Sequence, residues 1–250
     1  MLSTTQFSDL VAPVIQRAGA EGLNAPASFV DRAAKHVLKH LGISDTEITD
    51  LKSRNMQAQL VLCEAIDKQL KCFFETHPKA QGIEVCGGLS TCFHRLSESL
   101  DWPQFSWRSI NHFDTDDCLQ FVFSVMDNFS SAASDKPMED WFKHVHWIDD
   151  TPKIVILGEH TPLKNIQDIE YQLQAFISVK QEDVNLNEVI FCHNNDGLLS
   201  HLNQYWRQFH IVAHEAIEQH RSHFSISELF KKRPRNSPLF MTHLSFSKKN

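Results

Sequence analysis

The stretch Ile83-Glu84-Val85-Cys86-Gly87-Gly88-Leu89-Ser90-Thr91 decides how the rest of the chain is read. A short apolar run ends in two glycines, and a helix can begin just beyond them. That is how a strand passes into a helix in a doubly wound α/β sheet, where the loop after the first strand lines the ligand crevice. Two glycines admit the close approach of a ligand, or they serve the geometry of the turn alone. A dinucleotide fingerprint needs GxGxxG, and a P-loop needs a lysine. Neither pattern occurs here, so NAD, FAD and ATP lose ground.

Outward from this turn, strands are predicted over 82–86, 105–110, 153–157 and 189–193, each a short apolar run bounded by turn residues. The segments 116–126 and 167–179 between them have helical length and an apolar stripe, which suits parallel strands joined by right-handed crossovers. Upstream of Pro78 the pattern is helical. Asn24-Ala25-Pro26 can start a helix over 27–41 whose apolar face runs Phe29, Ala33, Val37 and Leu41, with Gly42 as its stop and Ser44 and Glu47 as a following capping box. Met56, Leu60, Cys63, Ile66, Leu70, Phe73 and Phe74 then mark a longer helix. Leu198, Leu202, Trp206, Phe209, Ala213, Ile217 and Phe224 predict a helix over 197–223 lying flat on the sheet. Alternation from Phe240 to Ser247 predicts a terminal strand, and 225–230 reads equally as a capped helix or a hairpin arm. The chain divides into an N-terminal helical cap, 1–78, and an α/β domain, 79–250, packed as one compact unit.

Composition sets outer bounds. The 250 residues are 42% apolar, which is ordinary for a globular domain and excludes a disordered or collagen-like chain. Lys plus Arg (24) less Asp plus Glu (31) leaves −7, a balance that works against coating a nucleic acid or an anionic membrane. The expected partner is small or local, with no nucleic acid and no membrane. The basic residues Lys231, Lys232, Arg233, Arg235, Lys248 and Lys249 read as a solvated tail. Six cysteines are scattered without a CxxC pair, and no charged-then-apolar leader precedes them, so reduced, cytoplasmic thiols are expected. The longest apolar runs, such as 154–157, fall far short of the roughly 18 residues of a membrane span.

The thirteen residues EVCGGLSTCFHRL, from Glu84 to Leu96, resemble the ELGAGLDTRAYRL type of motif of the leucine carboxyl methyltransferase family, class I enzymes that use S-adenosylmethionine. Arg17-Ala18, the run from Phe29 through Asp31 to Ala34, Arg54, Ile66-Asp67 and His77-Pro78 are similar in order and spacing to that family's N-terminal helices. Ser106 to Asn111 takes the place of its second strand, Asp140-Trp141 of its D-x-x-W region, and Ile154 to Leu163 of its fourth strand. The resemblance spans roughly residues 10 to 195. It implies a mostly parallel sheet of the seven-stranded type with an antiparallel C-terminal strand, and methyl transfer from S-adenosylmethionine to a carboxylate or hydroxyl of a small molecule or peptide end.

The residues that the resemblance assigns to the cofactor are Arg54 for the methionine carboxylate, Glu84 to organise the turn, and Cys86, Gly87 and Gly88 to admit the ligand. Asn111 faces the ribose, Asp140 and Trp141 the adenine, and Gly158 and Glu159 the methionine amino group. Four positions depart from the family's pattern: Cys86 stands for a glycine, Ser90 for an aspartate, Cys92 for an arginine and Asn111 for the ribose-binding acid. A neutral amide gives up one charge-assisted hydrogen bond, roughly 1.5 to 3 kcal/mol. These departures motivate a rival reading, a catalytically inactive methyltransferase-fold module for binding or assembly. Methyl transfer to an ionised carboxylate needs no general base, since alignment and dehydration supply the rate. Fifteen histidines raise a metal site, but His214-Glu215-Ala216-Ile217-Glu218 falls one ligand short of HExxH, and no metal is assigned.

Overall fold

The computed structural model describes residues 4–20, 29–43, 55–85, 87–100, 104–111, 129–133, 150–158, 163, 165–181, 185–194, 197–202, 208–217 and 239–246. Three helices come first: α1 (Thr4–Ala18), α2 (Arg32–His40) and α3 (Asn55–Thr76). There follow β1 (Gln81–Val85), α4 (Cys92–Ser99), β2 (Ser106–Asn111), β3 (Phe129–Ala133), β4 (Lys153–Leu157), α5 (Ile166–Gln181), β5 (Leu186–His193), α6 (Leu198–Leu202), β6 (Phe209–Ile217) and β7 (Leu239–Phe246). The seven strands form one sheet in the order β3-β2-β1-β4-β5-β7-β6. Strands β1 to β5 run parallel, and β7 lies antiparallel between β5 and β6.

Every residue of β1 and β4 is buried, as strands covered on both faces require. Alternation sends Ile83, Val85, Val155, Leu157, Val189 and Phe191 to one face, against Ile169, Leu173, Phe176 and Val179 of α5. Ile154, Ile156, Ile190 and Cys192 point to the other, against Ile66, Leu70, Phe73 and Phe74 of α3 and Phe93 and Leu96 of α4. That second core is aromatic: Phe74 stacks on Phe105 at 4.3 Å between centroids, and Phe93 and Trp107 close around them. A separate cluster joins Val11, Val14 and Ile15 of α1 to Ala34, Val37 and Leu38 of α2, and Leu89 from the turn after β1 belongs to it.

The structure corrects three expectations. Within the helix predicted over 197–223, the described residues are helical only at α6, and Phe209 to Ile217 is the edge strand β6 instead. Its apolar residues fit a helical repeat, yet β7 offers a free edge, and pairing with it satisfies the backbone groups along β6. A register shift between Ile211 and Ala213 breaks the two-residue alternation that would have announced a strand. Second, α2 starts late: residues 29–31 are non-helical, and Asp31, not Asn24, caps the helix through the Ala34 N–H at 2.8 Å. Third, β3 was not expected, because Ser130, Ser131, Ala132 and Ala133 carry no apolar run. The predicted capping box at Ser44 and the segments 116–126 and 225–230 lie outside the described residues.

Candidate functional site

Parallel pairing sets Val85 level with Ile110 and Leu157, so β1, β2 and β4 end together and the turn after β1 leaves from the middle of that rim. Gly87 is buried there, and the Glu84 side chain lies where its Cβ would project, so no larger residue fits without displacing Glu84. Gly88 sits at φ +59°, the left-handed region that suits glycine. Its N–H donates to the Asn111 Oδ1 at 3.0 Å, and Asn111 Nδ2 donates to the Ser109 Oγ at 2.7 Å. Asn111 therefore stands where the ribose acid was expected but ties the turn to β2, with one donor and one acceptor position of its amide still uncommitted in that network. Ser90 Oγ accepts the Cys92 N–H at 3.2 Å, the local role that an aspartate would also fill.

Gly158, at φ +80° just past β4, flanks the same rim. Glu84, Gly87, Gly88, Asn111 and Gly158 are thus gathered at one edge of the sheet. Arg54, Cys86, Asp140, Trp141 and Glu159 lie outside the described residues.

The residues that sequence reasoning did not single out for the site hold the turn from below. Asp31, 2% exposed, pairs with Arg17 Nε and with Arg95 Nη1, both at 3.2 Å, and accepts the Thr91 hydroxyl. Arg95 also forms a two-pronged pair with Asp67, Nε to Oδ2 at 2.7 Å and Nη2 to Oδ1 at 2.9 Å. Arg17 Nη2 donates to the Leu89 carbonyl at 2.7 Å. Its Nη1, fully enclosed, has no hydrogen-bond partner among the described residues. Burial alone would raise the Asp31 carboxyl, but Arg95 and Arg17, with the Thr91 hydroxyl and Ala34 N–H, hold it below the usual carboxylate range. Burial likewise works against the Arg95 cation, and Asp67, Cys63 and Asp31 together outweigh it. Burial pushes His94, on the next turn of α4, down to about 4. The resemblance had already picked out Arg17, Asp31 and Asp67 by position; nothing in their spacing said that they converge.

His210 and His214 lie on the strand β6 and not on a helix, and His214 Nδ1 meets the Thr242 hydroxyl at 2.8 Å. Among the described residues no group of three or more His, Cys, Asp or Glu is placed to hold a metal ion. Among them, too, no helix is long and apolar enough to cross a membrane.

The strand order, with the seventh strand reversed and inserted between the fifth and sixth, defines a Rossmann-like methyltransferase fold. No family model and no curated protein matches the chain. Solved structures of similar course include Sp1610 of Streptococcus pneumoniae in complex with S-adenosylmethionine, at 11% identity over 74% of each chain with a TM-score of 0.47. TrmK of M. capricolum in complex with S-adenosylhomocysteine shares 8% identity, with 73% of this chain and 68% of that one covered and a TM-score of 0.45. The 23S rRNA methyltransferase ErmE shares 13%, with 72% and 68% covered and a TM-score of 0.43. At such scores the likeness speaks only to the general course of the chain. The expectation that excluded nucleic acid as a partner is not kept, the chains of similar course including a 23S rRNA methyltransferase. The physical reason is that a net charge of −7 is a sum over the whole molecule and does not fix the sign of any one face.

Proposed function

We propose that the protein binds S-adenosylmethionine at the turn after β1 and transfers its methyl group to an acceptor oxygen, a carboxylate or hydroxyl. The observation that carries this reading is the glycine turn itself, which leaves β1 at the middle of the rim where β1, β2 and β4 end, with Gly87 too close to Glu84 for any larger residue and Gly88 at φ +59°. That rim is where ligands bind in doubly wound sheets, and bare backbone there admits a ligand closely.

Gly87 and Gly88 would lie against the cofactor, Glu84 would keep the turn in shape, and Asn111 would offer its remaining donor and acceptor to the ribose. Gly158 would flank the methionine end, and Arg54, Cys86, Asp140, Trp141 and Glu159 keep the cofactor roles that the motif resemblance gives them. Bound there, the cofactor supplies an electrophilic methyl carbon; the chain's own task is to align and dehydrate the acceptor, so no base is required when that acceptor is ionised.

Equilibrium dialysis with labelled S-adenosylmethionine tests the binding, and label transfer tests the acceptor in three arms: carboxylate-bearing small molecules, peptide termini and RNA. Retained label and transfer to an oxygen support the reading. Transfer to RNA nitrogen or carbon would replace the acceptor, and absence of binding by folded protein would end the proposal. The second reading, a non-catalytic module, is favoured by one observation, the engagement of Asn111 with Gly88 and Ser109 in place of a ribose-binding acid. It predicts retained ligand without transfer to any acceptor, or no ligand.

A further inference from the structure

We infer that Asp31 is a positioning residue for the turn after β1, so that the seating of α1 and α2 and the affinity of that turn for its ligand are one coupled equilibrium. The affinity half of this statement rests on the function proposed above; the positioning half does not. Thr91 occupies the position before α4 where a hydroxyl ordinarily caps the helix, yet it makes no side-chain cap bond. Its hydroxyl donates instead to the Asp31 carboxylate, sixty positions upstream, and accepts from Arg95 Nη1 at 3.0 Å. The exit of the turn is therefore tied to a group in the N-terminal layer as well as to the helix that follows it.

The middle of the turn is held from the same side. Arg17, paired with Asp31, takes the Leu89 carbonyl, and the Leu89 side chain, 1% exposed, packs among Val11, Val14, Ile15, Val37 and Leu38 rather than in either sheet core. The other Asp31 oxygen caps α2. One carboxylate thus joins the start of α2, the end of α1 and the exit of the turn. Unseating those helices would release Thr91 and Leu89 together, and a ligand that needs the turn in place must in return stabilise the helices.

The experiment uses the full chain with Thr91→Val, which removes the hydroxyl at nearly constant shape, and Thr91→Ser, which restores it; Asp31→Asn is the harsher variant. Without ligand, hydrogen exchange of the amides of residues 87–91 should quicken in Thr91→Val, return in Thr91→Ser, and leave the strands at 153–157 and 186–193 protected as before. With S-adenosylhomocysteine, α1 and α2 should gain protection in the wild type, and affinity should fall about tenfold in Thr91→Val and recover in Thr91→Ser. Unchanged exchange over 87–91 in both Thr91→Val and Asp31→Asn would overturn the positioning role whatever the ligand does. Ligand that binds the wild type without protecting α1 and α2 would overturn the coupling. A wild type that binds no S-adenosylhomocysteine while Thr91→Val loosens the turn would leave positioning standing and remove the proposed function instead.

Discussion

The two cores on the faces of the sheet and the seam beneath the glycine turn are equally buried, yet they are built from opposite materials. Phe176, Phe191, Leu173 and Val189 on one face, and Phe74, Phe93, Phe105 and Trp107 on the other, hold the sheet by area and shape. Such contacts tolerate many exchanges of like volume. At the seam, Arg17, Asp31, Arg95 and Asp67 use directed, charged bonds, which are costly to desolvate and gain their advantage only in one geometry. The difference teaches that the fold needs bulk in the cores, whereas the turn needs a fixed backbone position, and charge is used where position matters.

The largest effects should sharpen that contrast. Asp31→Ala and Phe176→Ala should each cost about 3–5 kcal/mol in urea unfolding, the first by stranding two buried guanidinium groups and the second by leaving a cavity. Only Asp31→Ala should weaken S-adenosylhomocysteine binding when both are compared under conditions where they are folded. Equal loss of affinity would break the comparison. Acid should act on the seam in two steps. The His94 imidazole, held by burial at about 4 against an ordinary 6.5, takes up its proton more readily unfolded, so stability falls as pH drops from 6.5 to 4. The Asp31 carboxyl is depressed below 3.8, so its contribution is present above that value and is lost only as pH falls through its lower, folded pKa. His94→Phe should flatten the upper decline and spare the lower collapse, as read by unfolding midpoints from pH 7 to 3.

Smaller effects test the turn itself. Gly87→Ala should cost about 1–3 kcal/mol, because the new methyl displaces Glu84, and its cost should appear in ligand affinity as well as stability. Asn111→Asp keeps the acceptor for the Gly88 N–H and restores a charge, so S-adenosylhomocysteine should bind about tenfold tighter by calorimetry; no change would favour the module reading. Lys71→Ala, which removes an exposed pair with Glu75 at 3.9 Å, should shift stability by only about 0.3–0.5 kcal/mol and serves as the baseline.

Much of the sheet was legible because its strands are apolar on both faces. Residues 153–157 coincide with β4, and β1, β2, β5 and β7 fall within a few residues of their predicted spans. β6 was not legible, because a strand on the sheet's edge leaves Ile211 and Val212 half exposed and so breaks alternation. β3, made of serines and alanines, has no hydrophobic signature at all. At the site, the two glycines announced the turn, whereas the seam did not announce itself. Arg17, Asp31, Asp67 and Arg95 are distant along the chain, and a charged residue in a helical stretch reads as solvated surface until its partners are known. A signal was nonetheless present in Thr91: a cap residue followed, four positions on, by an arginine that proves buried.

The most direct measurement is a pair of calorimetric titrations of the full wild-type chain, one with S-adenosylhomocysteine and one with 5′-methylthioadenosine, which keeps the nucleoside and sulfur but lacks the methionine carboxylate proposed for Arg54. A single saturable site for the first ligand, with the second at least about tenfold weaker, is the predicted result. Equal affinities would contradict the role proposed for Arg54, and no heat from either ligand with folded protein would contradict the binding site as a whole.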